Sequence, residues 1–517
     1  MSERQKLSGH KVTPGIWTLG LLAVALLATP GVWAQDTPTP PASGTPDATP
    51  QSQEPIPAYG QENPPPPVVE NPPLSGIDLP NVEPHAAPLS YIQPGATVSQ
   101  SLDTNPETSL RGQSAYSVSR AIGSVTLQRL WSHYDLALDY EGGAAYYSLR
   151  GEGFKALQQM DFNQKLTWKR GELNVRESFS YLPEGNFGAA YGSTGSTGMQ
   201  SLGSTGVAPL LSGSILGTEG LVPRVLDVSM ADVSEYLSPK SAITVAGGYA
   251  FTHFYGSLQP TVADPTVSPI TFIGSSETFA QVGYNRILSS HTQIAVMYAY
   301  QAFNFNYSDL AFHSNVFQLV YGHRISGRLD FLIGAGPQLT DIGTPSVICS
   351  DPTLPVLACL PPDTINPTTV TDHRLGIAGR VRLRYKFPKT FVQASYDRYE
   401  TSGSGLFAGS QTDLARVTLD RPLTRIWSVS GDIGYSRNSR LQASSAGVDA
   451  NSYQFGFVAA AAHRQIGHNF HAFASYQFNE LAFDNSYCST TTVCSRISNR
   501  EVLTIGLDWT PRPIRLD

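Results

Sequence analysis

The chain has 517 residues, of which 15% are charged and 10% aromatic, and it carries a net charge of −7 at pH 7. This acidic balance offers no basic surface of the kind that binds nucleic acid, so we expect no nucleic-acid partner. The mean hydropathy of −0.15 is low for a helical membrane protein. It fits a β-barrel, whose apolar residues alternate with polar ones.

The N-terminus predicts a cleaved secretory signal over residues 1–34. Basic residues in the first eleven positions precede the apolar stretch 19–27, and Ala34 supplies a small residue at the cleavage site. These are the three parts of such a signal, and an N-terminal anchor helix is the alternative. Beyond this segment no apolar run of about eighteen residues occurs, so we expect no transmembrane helix in the mature chain.

Residues 35–88 are rich in proline, with Pro64–Pro67 as the densest run. Few large apolar residues accompany the prolines, so burial cannot offset the entropy of ordering the segment. We therefore expect a disordered periplasmic tether outside the barrel, and no folded plug domain. It is either a passive spacer or a contact for a periplasmic partner or peptidoglycan.

Strict alternation of apolar and polar residues begins near residue 115 and continues to the C-terminus. The segment Val502–Trp509 is the clearest example. Period-two alternation puts every second side chain on one face of a strand. The runs reach twelve to sixteen residues, whereas strands of soluble proteins have about five or six. The pattern predicts an all-β fold, in which residues 89–517 form a single antiparallel transmembrane β-barrel.

The strand number follows from the connections. Eight short connections join long alternating runs, at Ser132-His133, Lys169–Glu172, Leu237–Ser241, Leu288–His291, Ser326-Gly327, Pro388-Lys389, Arg421–Thr424 and Ile466-Gly467. Short turns of bacterial barrels face the periplasm, and the strand number is even. Sixteen strands from these hairpins, a returning strand at 498–510 and a first strand at Tyr91–Leu102 give eighteen. Sixteen is the competing number.

Parity assigns charged side chains to the lumen, because a charge facing lipid is unfavourable by about 2–4 kcal/mol for Arg or Lys at mid-membrane. In the runs 133–141, 372–386 and 424–437 most apolar residues share one parity, and the charges take the other with few exceptions. The predicted pore-lining residues are Asp135, Asp139, Glu141, Arg380, Arg382, Arg384, Lys386 and Asp432.

The acidic and the basic members of this set belong to the third and the twelfth of eighteen strands. Strands nine apart face each other across a barrel of that size. Opposed acidic and basic walls would create a field across the pore that orients dipolar solutes. The alternative is that each charge is paired with a neighbouring strand, which carries Asp161, Lys165 and Lys169 beside the acidic wall and Asp397 beside the basic one.

The four cysteines fall in pairs within two predicted outer loops. Cys349 and Cys359 lie in 341–371, and Cys488 and Cys494 lie in 481–497. Four cysteines allow three connectivities. In an exported protein local disulfides are expected, so we predict Cys349–Cys359 and Cys488–Cys494, with a metal site as the rival interpretation.

No pattern in the sequence indicates catalysis. There is no nucleophile motif, no phosphate-binding glycine loop and no paired metal-ligand spacing, although His463, His468 and His471 lie near one turn. We predict no catalytic residue, no cofactor and no metal. The Gly/Ser/Thr-rich run Gly185–Gly220 either folds into the lumen as a constriction or forms a solvated outer loop.

The segment Ile92–Pro106, which runs from Pro94-Gly95 through polar residues to Asp103-Thr104-Asn105, resembles the opening strand of an outer-membrane β-barrel porin family. Ala394–Tyr399 is similar in character to segments of the same barrels. Some members of that family are associated with exopolysaccharide gene clusters. The chain departs from usual barrel endings because Thr510–Asp517 follow the last aromatic residue.

Three function classes remain at this stage. The first is an outer-membrane channel for passive or weakly selective passage of small polar solutes or saccharides. The second is a barrel that serves polysaccharide secretion or the structure of the cell surface, and the third is an outer-membrane enzyme. We expect the first, with outer-membrane lipid and small polar solutes as the partners.

Overall fold

The computed structural model describes residue 74 and residues 90–516, with gaps at 105–114, 149–152, 184–222, 256, 259–269, 307–309, 350–363, 404, 443–449 and 489–495. The chain divides into two units, 1–56 and 57–517, and every described residue belongs to the second. The predicted signal peptide, the loop 185–220, Cys359 and Cys494 lie outside the described residues, as does the tether apart from Leu74.

The described residues form one antiparallel sheet of nineteen strands, of which one, Ile514–Arg515, has two residues. The other eighteen are β1 Tyr91–Asp103, β2 Tyr116–Leu130, β3 Tyr134–Tyr147, β4 Gly153–Trp168, β5 Gly171–Leu182, β6 Arg224–Ser238, β7 Ser241–Phe254, β8 Ser275–Ser289, β9 Thr292–Phe305, β10 Ala311–Ser326, β11 Leu329–Cys349, β12 Thr364–Lys386, β13 Phe391–Thr401, β14 Ser410–Pro422, β15 Trp427–Arg440, β16 Ser452–Ile466, β17 Phe470–Phe483 and β18 Ile497–Trp509. Two further two-residue strands, Ser257–Leu258 and Ile270–Thr271, pair with each other.

Each long strand pairs with the next, and β18 pairs with β1 from Ala96↔Trp509 to Asp103↔Val502, so the sheet closes on itself. The fold is a closed antiparallel barrel of eighteen strands, as the sequence predicted. Closure matters physically because an open sheet edge would leave backbone N–H and C=O groups unpaired. The eight predicted hairpins are all present, and the prediction of a first strand near Tyr91 is confirmed.

Exposure alternates along the strands as the two faces of a barrel wall require. On β12, Leu375 is 73% exposed and Ile377 65%, whereas Arg380 is 7% exposed. Val417 on β14 and Ile433 on β15 are also exposed on the outside. The exterior therefore presents an apolar surface, and the packed side chains lie inside the barrel.

Strands β11 and β12 are longer than predicted. The sequence placed a loop at 341–371, but the two strands continue to Cys349 and start again at Thr364, with pairing out to Cys349↔Thr364. Thr, Val and Ile dominate the added part of β12, and β-branched residues favour the extended conformation. The side chains of Cys349 and Cys488 are outside the described part, so both predicted disulfides stay predictions.

A short outer turn follows β17. Asp484 precedes the 3₁₀ helix Asn485–Cys488, and its carboxylate accepts hydrogen bonds from the backbone N–H groups of Ser452 at 2.8 Å and Ser486 at 3.1 Å. Burial acts to raise the pKa of Asp484, but the hydrogen bonds from Ser486 and from the backbone hold the pKa below its usual value. No described helix is long and apolar enough to cross a membrane.

Candidate functional site: the barrel lumen

The predicted acidic residues of β3 meet polar partners on both neighbouring strands. Asp139 is buried, accepts a 2.5 Å hydrogen bond from Thr126 Oγ1 on β2, and pairs in register with Asp161 on β4. Asp161 in turn accepts a 2.7 Å hydrogen bond from Ser178 Oγ. Asp135 pairs in register with Lys165, and Glu141 is half-buried near the middle of its strand.

The predicted basic residues of β12 also have neighbours of opposite charge. Arg384 forms a bidentate ion pair with Asp330 on β11, at 2.9 and 3.0 Å. Arg380 pairs in register with Asp397 on β13, and both are buried. Arg382 is half-buried. Lys386 is exposed and is the last residue of β12, next to the short turn that leads to β13. The wall is therefore neutralised in part by its neighbours.

Asp432 on β15 is held by Arg416 on β14 through two hydrogen bonds, one of 2.8 Å from Nε and a shorter one from Nη2. Arg416 also lies over the ring of Phe457, 5.6 Å from its centroid. Together with the Arg384–Asp330 pair, this contact favours the alternative in which charges are matched between neighbours. An electric field across the pore would then come only from charged residues whose charge is not cancelled by such a pair.

The seam between the first and the last strand contains a buried ion pair that the sequence analysis did not identify. Arg500 Nη2 lies 2.6 Å from Asp103 Oδ2, and the two side chains are 0% and 1% exposed. Arg500 Nε lies 3.1 Å from each carboxylate oxygen of Asp103. Asp103 belongs to the opening-strand motif, but Arg500 lies 397 residues further along the sequence. Alternation within a strand does not indicate which distant residues pair, so the sequence did not predict this ion pair.

The connection between β13 and β14 is buried at the outer end of the barrel. We call residues 402, 403 and 405–409 the inner loop. Leu406, Phe407 and Ala408 are 2%, 3% and 5% exposed, although short outer loops are usually solvated. Backbone hydrogen bonds tie the loop to the wall, from Ile273 N to Gly405 O at 2.8 Å and from Leu441 N to Gly409 O at 3.1 Å.

Apolar side chains from the outer strand ends surround the inner loop. The Phe407 ring lies 5.1 Å from the ring of Tyr453 at the start of β16. Two buried clusters include the loop, and their other members are Phe254, Phe272, Ile273, Phe303, Phe305, Leu310, Phe312, Ile342, Leu414, Ala450, Tyr453, Phe455, Phe457, Leu481 and Phe483. These residues belong to seven of the eighteen strands, β7, β9, β10, β11, β14, β16 and β17, or to the adjacent loops. We call the inner loop and its two clusters the apolar constriction.

The sequence contains a feature that indicates the buried inner loop, but the alternation of the strands does not show it because the feature lies in a connection. Leu406 and Phe407 form an apolar pair within an outer connection, between Gly403, Gly405 and Gly409. Gly405 has a φ of 79°, and a Cβ at this position would lie 2.6 Å from Phe254 Cε2. Only glycine meets both requirements, a left-handed backbone and close approach to the wall. The sequence analysis considered only 185–220 for a constriction, with a solvated outer loop as the alternative, and that segment lies outside the described residues.

The described residues contain no group of three or more His, Cys, Asp and Glu side chains that could hold a metal ion. No protein-family model and no curated protein matches the sequence.

Several solved structures resemble the chain weakly. A BenF-like porin from Pseudomonas fluorescens Pf-5 is 10% identical, with 82% of this chain and 99% of that chain covered and a TM-score of 0.38. Pseudomonas aeruginosa OccK2 in complex with glucuronate is 9% identical, with 82% and 97% covered and a TM-score of 0.38. The closed form of the ferric-catecholate import receptor Fiu from E. coli is 7% identical, with 84% and 82% covered and a TM-score of 0.42. Identities and TM-scores this low carry no argument about function, so the function is inferred from the residues of this chain alone.

The apolar exterior and the closure of the barrel indicate that it lies in a lipid bilayer. Only helices and closed barrels satisfy all backbone hydrogen bonds within a bilayer. A large antiparallel barrel with an apolar exterior and polar or charged side chains on the inner parity is the form of an outer-membrane protein. The structure shows this form over its described residues, and the expected outer-membrane localisation agrees with it.

Proposed function

We propose that the chain is an outer-membrane channel for small polar solutes, with saccharides among them. The observation that carries the proposal is the division of the closed wall into two faces. Leu375 and Ile377 of β12 face outward, while Arg380 of the same strand is buried on the inner side. A barrel of 16–18 strands is wide enough for an aqueous path, and charged groups in such a path attract polar and ionic solutes.

The apolar constriction at the outer end gives this channel a closed state. Its members are buried against one another, and we propose that the loop must leave its position before a hydrated solute passes. We propose the inner loop as the moving part, because it is a short connection whose described backbone hydrogen bonds to the wall are those of Gly405 O and Gly409 O. Openings should accordingly be discrete events.

The test is single-channel recording of the purified full-length protein in planar bilayers, with liposome swelling in sugars of increasing size as a second measurement. Discrete ion currents and size-limited swelling are the expected results. If the folded barrel gives neither currents nor swelling, the channel function is rejected. A role in polysaccharide secretion or in the structure of the cell surface would then be favoured.

A further inference from the structure

One residue of the N-terminal proline-rich segment lies inside the barrel. The sequence placed this whole segment outside, but Leu74 N donates a 3.2 Å hydrogen bond to Asn285 Oδ1 on β8. Leu74 O accepts a 3.1 Å hydrogen bond from Arg380 Nη2 on β12. The composition of the segment did not predict this contact, because composition describes the average of a segment, whereas docking needs only a single anchor.

The two wall residues that bind Leu74 are themselves buried. Asn285 is 2% exposed and Arg380 is 7% exposed. Arg380 Nη2 is also 3.5 Å from Met297 Sδ on β9, which fixes the direction of the guanidinium. An amide oxygen and a guanidinium therefore bind the N–H and the C=O of a single residue. This arrangement recognises peptide backbone, which carries a donor and an acceptor in every residue.

An apolar pocket receives the side chain. Leu74 packs against the cluster of Ala295, Met297 and Val320, against which Leu332 also packs. The pocket is deep enough because position 322 of β10 is glycine: a Cβ there would lie 2.9 Å from Leu74 Cδ1. We call this pocket with Asn285 and Arg380 the Leu74 subsite.

The subsite lies in the half of the lumen near the short turns, since Asn285 and Gly322 each precede the end of their strands by a few residues. Strands about 4.8 Å apart and tilted by roughly 40° give an eighteen-stranded barrel a diameter of roughly 35 Å. The sixteen residues from Leu74 to Ser90 span at most about 53 Å. The chain can therefore cross from the first strand to the opposite wall.

We propose that the Leu74 subsite is a peptide-binding site in the lumen, that Leu74 is its intramolecular occupant, and that Leu74 bound there narrows the channel near the periplasm. The site takes an extended peptide with a medium-sized apolar side chain. The narrowing depends on the proposed channel function, whereas the occupancy does not. Opening the outer constriction leaves this occupant in place.

Disulfide crosslinking in the full chain tests the occupancy. Leu74→Cys with Gly322→Cys should crosslink in folded protein, and peptide mapping without reduction should find the pair. The matched control is Leu74→Cys with Gly327→Cys, because Gly327 lies in the turn after β10 and a Cβ there has no atom within 4 Å. Equal crosslinking in the two proteins would overturn the occupancy.

Unitary conductance tests the narrowing. Leu74→Lys puts a cation beside Arg380 and should release the segment, so that each opening carries a current at least about 1.5-fold larger. Leu74→Met keeps an apolar side chain of similar size and should leave the current unchanged. If Leu74→Lys and wild type have equal unitary conductance, the narrowing is rejected and the channel is not. If neither protein opens, both the narrowing and the channel are rejected. In either case the crosslinking experiment decides whether Leu74 occupies its subsite.

Discussion

Removing the ring of Phe407 should hold the channel open. Phe407 is 3% exposed within the apolar constriction, and its ring is 5.1 Å from that of Tyr453. Replacing a buried Phe by Ala is unfavourable by about 3–5 kcal/mol in a packed core. About 1.4 kcal/mol changes an equilibrium tenfold, so the ratio of docked to released loop should fall by roughly two to three and a half orders of magnitude.

The assay is the open fraction of single channels at fixed voltage, measured for wild type, Phe407→Ala and a control. Phe154→Ala is the matched control, because Phe154 is 76% exposed on the outside of β4 and loses the same atoms. We expect a large rise in open fraction for Phe407→Ala and none for Phe154→Ala. A folded Phe407→Ala barrel with the wild-type open fraction would show that the inner loop does not close the channel.

A double-mutant cycle with Tyr453→Ala separates the ring contact from burial in general. An aromatic pair contributes about 0.5–1.5 kcal/mol beyond the area that it buries. The effects of Phe407→Ala and Tyr453→Ala on the closing free energy should therefore sum to more than the effect of the double variant. Simple additivity would mean that each ring stabilises the loop through other neighbours.

Three further predictions concern the wall and the outer turn. Asp103→Ala leaves Arg500 buried without its carboxylate and should lower the free energy of unfolding by about 3–5 kcal/mol; urea titration in lipid vesicles measures it, and a loss below about 1 kcal/mol contradicts the burial of the pair. Arg384→Gln should shift the reversal potential toward cation selectivity by exposing the charge of Asp330, and Asp330→Asn should shift it toward anions; equal values would place the pair outside the ion path. Because the folded pKa of Asp484 is lowered, its contribution to the docking of the outer turn is complete above the unfolded pKa of about 3.9 and is lost as the pH falls through the lower folded value. Hydrogen exchange of that turn should rise with acid in wild type but not in Asp484→Asn, and parallel pH profiles would argue against this assignment.

The eighteen strands could be predicted because side-chain parity and turn position are local properties of the chain. Lipid on one side and water or packed protein on the other imposes alternation on each strand, and each short connection fixes one hairpin. The lengths of β11 and β12 were underestimated, since the paired strands continue beyond the last clear alternation of the sequence, near Thr344 and Thr371. The barrel was therefore predictable as far as the alternation extends.

The contents of the lumen were not predictable from the same rule. Parity assumes that apolar residues face lipid, but Tyr453, Phe455 and Phe457 of β16 face inward and pack on the inner loop. Ion pairs such as Asp103–Arg500 depend on which distant strands become neighbours. Leu74 shows the same limit, because its partners come from strands more than two hundred residues away.

The two occupants of the lumen should affect different observables. If the inner loop closes the outer end by apolar packing, as we propose, Phe407 should determine how often the channel opens. If Leu74 in its subsite narrows the path near the other end, as we also propose, it should determine the current of each opening. Since the loop contacts none of the residues of the Leu74 subsite among the described contacts, the two effects should be independent. A Phe407→Ala/Leu74→Lys protein should combine the open fraction of the first variant with the unitary conductance of the second, and a change in either value would reveal coupling through the wall.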